Sequence, residues 1–163
     1  MANHYYVIIK TLGLADNMLP LAMAVKRREP SAVFEFVVLS RRIMQALREN
    51  ALLNELTDSL VDRLTLVDMD RNHKSRPGNL LRFLGLLLRL LMSRRVRLLH
   101  ADQVDTSRFM RLLHMASSTF GGKTYGTFAC QVPNIDRLPA KKLSSNVGHG
   151  FLAFSKQDAP YLK

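Results

Sequence analysis

The chain has 163 residues, of which 47% are hydrophobic and 23% charged, and its formal net charge is +11. This length and composition are typical of one globular domain, and they argue against intrinsic disorder, a collagen-like chain or a coiled coil. The single cysteine, Cys130, excludes an internal disulfide framework and a multi-cysteine zinc module, and it indicates a reducing compartment.

The basic residues are concentrated in one stretch of the chain. Between Arg71 and Arg111 there are ten basic residues and two acids, so ten minus two gives a net +8 of the total +11. Such a local excess indicates an anionic partner, which is a phosphate-bearing substrate, an acidic lipid surface or nucleic acid. No segment has the roughly 18 apolar residues that a membrane span needs.

The first half of the chain alternates between predicted strands and helices. Tyr5–Ile9 is β-branched and aromatic, which predicts a buried strand. Thr11–Gly13 is predicted to form a turn, and the next helix to begin near Asp16 and Asn17, with Pro20 in its first turn. The elements that follow are a helix end at Pro30, a strand over Val33–Leu39, a helix over Arg41–Asn50 capped by Ser40, a helical piece over Leu52–Leu60 and a strand over Arg63–Val67.

The second half contains a predicted helix over Asn79–Ser93 that is apolar nearly all round. On a helical wheel, its four polar residues fall on one narrow stripe. One face of this helix must pack on the sheet, so leucines are left over for another contact. The later elements are a strand over Val96–His100, a helix from Thr106 or Ser107 through Ala116, a strand over Tyr125–Val132 and a strand over Phe151–Phe154.

This alternation predicts an α/β fold with a single domain over residues 1–163. Parallel strands need crossover connections, and right-handed crossovers place helices on both faces of the sheet. The expected architecture is therefore a Rossmann-like, doubly wound, mostly parallel sheet with helices on both faces.

Ligands of such sheets bind beyond the carboxyl ends of the strands, at the switch point of the strand order. The loops after Ile9 and His100 are expected to reach this point. A carboxylate beside a histidine at a strand end is suited to general-base chemistry on a sugar hydroxyl. The alternative is that these acids cap the next helix and that the histidine is structural. The first loop offers Gly13, Asp16 and Asn17. The second offers His100, Asp102, Gln103, Asp105 and Thr106.

The Asn79–Ser93 helix with its basic flanks suits a helix that lies at an anionic bilayer surface. The alternative is a buried helix that meets another domain or subunit, with its arginines simply solvated. Nucleic acid is less favoured, because neither a helix-turn-helix pattern nor an aromatic RNA-binding motif is visible. The expected membrane or anion contacts are Arg71, Lys74, Arg76, Arg82, Arg89, Arg94, Arg95 and Arg97.

No metal or cofactor is expected from the sequence. The five histidines show no metal-ligand spacing. A dinucleotide fingerprint needs three glycines, and the turn after the first strand offers only Gly13.

Three segments resemble the amino-terminal half of GT-B-type proteins of surface polysaccharide synthesis. They read IKTLGLADNMLPLA at residues 9–22, LLHAD at residues 98–102 and FLAFSKQDAPYLK at residues 151–163. This group includes glycosyltransferases, and UDP-GlcNAc 2-epimerases and CDP-glycerol glycerophosphotransferases share the architecture. The resemblance implies two Rossmann-like halves, of which the first takes the acceptor and the second binds most of the nucleotide-sugar.

By this resemblance, the chain is the acceptor-side domain of such an enzyme, cytoplasmic and peripheral at the inner membrane face. The carboxylate of Asp102 or Asp16 would act as the base, while Asn17, Gln103 and Thr106 would position a sugar or lipid-linked acceptor. His149 would approach the cleft, and arginines around the Asn79–Ser93 helix would hold lipid or pyrophosphate.

The donor-binding half would then lie in a further domain or a partner chain, and the isolated chain is expected to be inactive in transfer. The alternative function is a free-standing, non-enzymatic Rossmann-like module. Such a module would bind an acidic lipid, a nucleic acid or a protein through its basic face.

Overall fold

The computed structural model describes residues 2–69, 77–93, 95–100, 108–127 and 150–152. Strands and helices alternate along these residues, and six strands and five helices are described. In chain order they are β1 His4–Ile9, α1 Leu12–Arg28, β2 Val33–Val38, α2 Arg41–Glu49, α3 Ala51–Leu60, β3 Arg63–Leu66, α4 Pro77–Met92, β4 Val96–His100, α5 Arg108–Ser118, β5 Lys123–Thr127 and β6 Gly150–Leu152.

All six strands lie parallel in one sheet, in the order β3-β2-β1-β4-β5-β6. The chain therefore adds strands on one side of β1 and then crosses to its other side, which is the order of a Rossmann fold. The predicted α/β, doubly wound architecture is confirmed. β1 lies at the centre, with Ile8 opposite Val37 of β2 and His100 of β4.

Alternate residues of the strands supply two separate cores, because successive side chains of a strand point to opposite faces. On one face, Val7 and Phe36 pack with residues of α1, α2 and α3. On the other face, Ile8 and Leu98 pack with residues of α4 and α5. Each face of the sheet thus has its own helical layer.

The first helix differs from the prediction. It begins at Leu12, capped by Thr11, whose hydroxyl accepts a hydrogen bond from the Leu14 backbone N–H at 3.3 Å. Gly13 therefore lies in the first helical turn and does not form a loop, and Pro20 lies inside the helix and not in its first turn. The prediction gave too much weight to glycine and proline. Packing of an apolar face overrides local preference here, as it often does; that face consists of Leu14, Ala15, Met18, Leu19 and Ala22.

The other boundaries lie within one or two residues of prediction wherever the structure describes them. Ser40 caps α2 as expected and accepts a hydrogen bond from the Arg42 N–H at 3.2 Å. α4 begins at Pro77, two residues early, in keeping with the preference of proline for a first helical position. The predicted α5 start at Thr106 or Ser107 and the end of the predicted strand over Tyr125–Val132 lie outside the described residues.

Exchange of two glycines for alanine tests the early start of α1 and the close backbone contact at Gly122. Gly13 has open space around its missing Cβ, so Gly13→Ala should raise the free energy of unfolding by about 0.5–1 kcal/mol if this residue is helical. At Gly122, a Cβ would overlap the backbone carbonyl oxygen of Ser117, so Gly122→Ala should destabilise the protein. Urea unfolding measures both changes, and a loss of stability in Gly13→Ala would contradict the early start of α1.

Candidate functional site

Some of the residues predicted to bind a ligand lie at the carboxyl edge of the sheet. β1 and β4 are parallel neighbours, so their carboxyl ends at Ile9 and His100 lie side by side. Gly13, Asp16 and Asn17 are exposed, but they lie on the first two turns of α1 and not in a loop. The helix N-terminus at this edge carries the partial positive charge that attracts anions.

Several predicted site residues lie outside the description. The backbone of His100 ends β4, but its side chain is not described, so the expected juxtaposition with Asp102 stays a prediction. The other predicted residues outside the described ranges are Gln103, Asp105, Thr106, His149, Arg71, Lys74, Arg76 and Arg94.

α4 packs one face on the sheet and leaves leucines over, as the sequence predicts, and the structure shows which leucines these are. Five of its large apolar side chains are between 49% and 76% exposed, and several of them recur three or four residues apart. We call this surface the leucine face; it consists of Leu80, Leu81, Leu84, Leu88 and Met92. The opposite side of the helix, with Leu86 and Leu90, is buried against the sheet.

Most of the polar stripe of α4 points towards the protein. At the start of the helix, the Asn79 side chain accepts a hydrogen bond from the Asp68 N–H at 2.7 Å and donates one to the Asp68 carbonyl at 2.6 Å. Just beyond its end, the Ser93 hydroxyl lies 2.9 Å from the Tyr6 hydroxyl. Burial raises the pKa of Tyr6 although the hydrogen bond with Ser93 opposes this shift, so the phenol stays neutral.

An ion pair joins the middle of this stripe to the sheet. Arg89 donates two hydrogen bonds to the Glu35 carboxylate, from Nη2 at 2.6 Å and from Nε at 3.2 Å. The Thr65 hydroxyl donates a third to the same carboxylate at 2.6 Å. We call these three attachments of α4, through Asn79, Arg89 and Ser93, the polar clamp.

The polar clamp determines which side of α4 faces the sheet. A helix that is apolar all round has several rotations that bury leucine equally well. Glu35 is 5% exposed in the middle of β2, and a buried carboxylate needs its charged partner. Only the rotation that brings Arg89 to Glu35 meets this need, and that rotation leaves the leucine face outside.

The sequence contains a signal for this pair that helix and strand periodicity alone do not reveal. Glu35 interrupts the apolar strand VFEFVV, and Arg89 interrupts the apolar run LGLLLRLLM. A single charge inside each of two buried elements indicates a pair across their contact. The structure thus directs Arg89 to Glu35, whereas the expectation was a contact with an external anion.

α5 extends the apolar surface beyond α4. The two helices lie side by side, with the Phe83 and Phe109 rings 5.1 Å apart between their centroids. Leu112 and Met115 of α5 are 44% and 65% exposed.

The layer formed by α4 and α5 carries only positive charge. Its two helices contain four arginines and no acid; Arg89 is paired with Glu35, and the exposed Arg82 and Arg111 give the surface a charge that attracts anions. The four are Arg82, Arg89, Arg108 and Arg111.

Two other arginines are not gathered around α4 as expected. Arg97 lies between Val96 and Leu98 on β4, so it belongs to the α1 face of the sheet, opposite Tyr5 in the register. Arg95 is exposed at the turn after α4, with φ at 56°, and it acts electrostatically on Glu29. Arg82 is exposed on α4 itself, as predicted.

A concave site lies at the amino edge of the sheet, at the opposite end of the strands from the switch point. It is a pocket of about 280 Å³ between the starts of β1, β2 and β3 and the end of α4. Its walls include the Glu35–Arg89 pair, the Tyr6–Ser93 hydroxyls and Arg63.

The described residues contain no candidate metal site and no membrane-spanning helix. Within these ranges, no three or more His, Cys, Asp or Glu side chains gather as a metal site would require. None of the helices in the same ranges has the length and apolar character needed to cross a bilayer.

Comparison with protein-family models, with curated proteins and with solved structures found no match for this chain. The likeness to GT-B-type proteins therefore rests on the three sequence segments, and the fold class rests on the sheet itself.

The polar clamp makes a prediction about stability. Arg89→Leu leaves the Glu35 carboxylate buried without its partner, so the free energy of unfolding should fall by about 3 kcal/mol. The double exchange Glu35→Leu with Arg89→Leu should recover most of this loss, because an apolar pair has no charge to solvate. Urea unfolding of the wild type, the single variants Arg89→Leu and Glu35→Leu and the double variant measures the coupling, and equal losses in Arg89→Leu and the double variant would contradict it.

Proposed function

We propose that this protein is the acceptor-side Rossmann-like domain of a GT-B-type glycosyltransferase, or of a related nucleotide-sugar enzyme of surface-carbohydrate synthesis. We further propose that it works as a peripheral domain on the cytoplasmic, anionic surface of a membrane. One observation carries the membrane part: α4 turns most of its polar stripe inwards and exposes its leucine face.

The leucine face is large enough to drive binding to a bilayer. Single exposed leucines are ordinary on a protein surface, whereas a contiguous set marks an interaction site. Full burial of one leucine side chain contributes about 1.5–3 kcal/mol. Insertion of several of these partly exposed side chains therefore contributes a few kcal/mol to binding.

The charge of the α4–α5 layer favours an anionic lipid surface as the occupant. An interfacial helix combines apolar side chains that enter the acyl boundary with arginines that meet the headgroups. Each basic side chain near an anionic leaflet contributes about 1 kcal/mol. Arg82 and Arg111 are exposed in this layer, and neither helix contains an acid that would be repelled.

The carbohydrate part of the proposal is supported by the sheet and by the sequence likeness. α4 begins beside the carboxyl edge, where Asn79 bonds to Asp68, and ends beside the amino edge, where Ser93 bonds to Tyr6. A domain lying on α4 would hold its carboxyl edge next to the bilayer. Gly13, Asp16 and Asn17 lie on α1, in the helical layer on the other face of the sheet, so a lipid-linked acceptor would extend across the carboxyl edge to reach them.

The alternative function, a free-standing module that binds an anionic partner without catalysis, uses the same leucine face and the same arginines. The two functions differ in whether the carboxyl edge takes part in sugar transfer.

Vesicle co-sedimentation tests the membrane part. The protein should bind vesicles that contain phosphatidylglycerol, and binding should weaken with added salt because exposed charges are screened. Leu84→Gln with Leu88→Gln should lower the apparent affinity about tenfold or more, since two inserted side chains are lost.

Leu52→Gln is the control, because Leu52 is at least as exposed as Leu84 and Leu88 but belongs to α3 on the opposite layer. Binding that is absent, or that falls equally in the control, would rule out the leucine face as a membrane contact.

Sugar transfer tests the catalytic part, and it is best measured on the complete gene product with labelled nucleotide-sugars and isolated membranes as the acceptor source. Asp102→Asn should lower turnover about 10²-fold or more if its carboxylate is the general base. Asp16→Asn examines the second candidate in the same assay. Near-normal turnover in either variant removes that residue, and the absence of any transfer favours the non-catalytic module.

A further inference from the structure

The pocket at the amino edge is not used by the proposed function. It lies at the opposite end of the strands from the switch point, between the first residues of β1, β2 and β3 and the last turn of α4. Its volume of about 280 Å³ is just below the range of pockets that hold drug-sized ligands. A ligand of one phosphate and a few carbon atoms is the size that this space accommodates.

Both carboxylates in the pocket wall are already compensated. Glu35 accepts hydrogen bonds from Arg89 and Thr65. Asp62 accepts one from the Phe34 N–H at 2.7 Å and one from the Lys26 ammonium at 2.9 Å. Burial opposes ionisation of Asp62, but these hydrogen bonds outweigh it and lower its pKa, so it is ionised and paired at neutral pH.

The remaining polar groups of the wall are mainly donors. Arg63 is exposed, and its guanidinium forms no ion pair with any residue that the structure describes. Arg89 uses Nε and Nη2 for Glu35, and its side chain forms part of the pocket wall. The Tyr6 and Ser93 hydroxyls complete one side of the pocket.

We infer that this pocket binds the phosphoryl group of a small phosphate ester. Guanidinium groups bind phosphate oxygens through charge-assisted hydrogen bonds, and hydroxyl groups add neutral donors. The carbonyl end of α4 lies nearby and carries a partial negative charge of about half a unit, which is smaller than the full charge of Arg63. The ester is either free in solution or the headgroup of a lipid, since both present the same phosphoryl oxygens.

Isothermal titration of the full chain with glycerol 3-phosphate, and separately with inorganic phosphate, tests this inference. We expect glycerol 3-phosphate to bind, and Arg63→Gln to weaken this binding about tenfold or more because one charged donor is lost. Arg42→Gln is the matched control, since Arg42 is an exposed arginine on α2 outside the pocket. No binding by the wild-type chain, or equal weakening in both variants, would overturn the inference.

Backbone amide NMR shifts of the wild-type chain provide a second measurement that needs no variant. Addition of glycerol 3-phosphate should move signals at the starts of β1, β2 and β3 and at Ser93. Shifts confined to other parts of the molecule would overturn the assignment of the site.

Vesicles distinguish the two sources of the phosphoryl group. If the ligand is a headgroup, Arg63→Gln should weaken binding to phosphatidic acid vesicles, and free glycerol 3-phosphate should compete with them. If the ligand is a free ester, glycerol 3-phosphate binds and vesicle binding is unchanged by Arg63→Gln. The leucine-face variant Leu84→Gln with Leu88→Gln should bind free glycerol 3-phosphate normally, so failure of the membrane proposal leaves this result unaffected.

Discussion

The pair between Glu35 and Arg89 decides how the second helical layer is built. The Glu35 carboxylate is buried in the middle of β2, an interior strand, and needs a cation within hydrogen-bonding distance. α4 supplies Arg89 from an otherwise apolar turn. Asn79 and Ser93 hold the two ends of the same helix to the sheet. The rotation of α4, the exposure of its leucines and the wall of the amino-edge pocket all follow from this one placement.

Burial of the Glu35–Arg89 pair and exposure of the leucines of α4 lower the stability of the fold, and a function of the leucine face would explain why both are present. If α4 only covered the sheet, an apolar residue at position 35 and an arginine turned to solvent would be at least as stable. The protein instead buries charge and exposes leucine. This inversion of the usual helix pattern, together with two helices that contain arginines and no acid, is the basis of the proposal that the leucine face meets an anionic membrane surface.

The two edges of the sheet differ in chemistry, and each suits a different ligand. The carboxyl edge has the exposed first turns of α1 beside the switch point, the usual ligand position of this fold. The amino edge has a small pocket whose acids are paired and in which Arg63 forms no ion pair within the described residues. An acceptor at the first edge and a phosphate ester at the second would lie at opposite ends of α4.

The sequence by itself determined the strands, the alternation of elements and hence the doubly wound sheet, because strand periodicity and β-branched runs are local properties. It also located Ser40 as a cap and α4 as an apolar helix. It did not determine the start of α1, where burial of Leu14 and its neighbours outweighs the local signals of Gly13 and Pro20. Only the tertiary structure decided that Arg89 turns inwards, that Arg97 lies on the other face and that the amino edge encloses a pocket. Each of these depends on which elements become neighbours, and a helical wheel or a residue count contains no information about the partner across the contact.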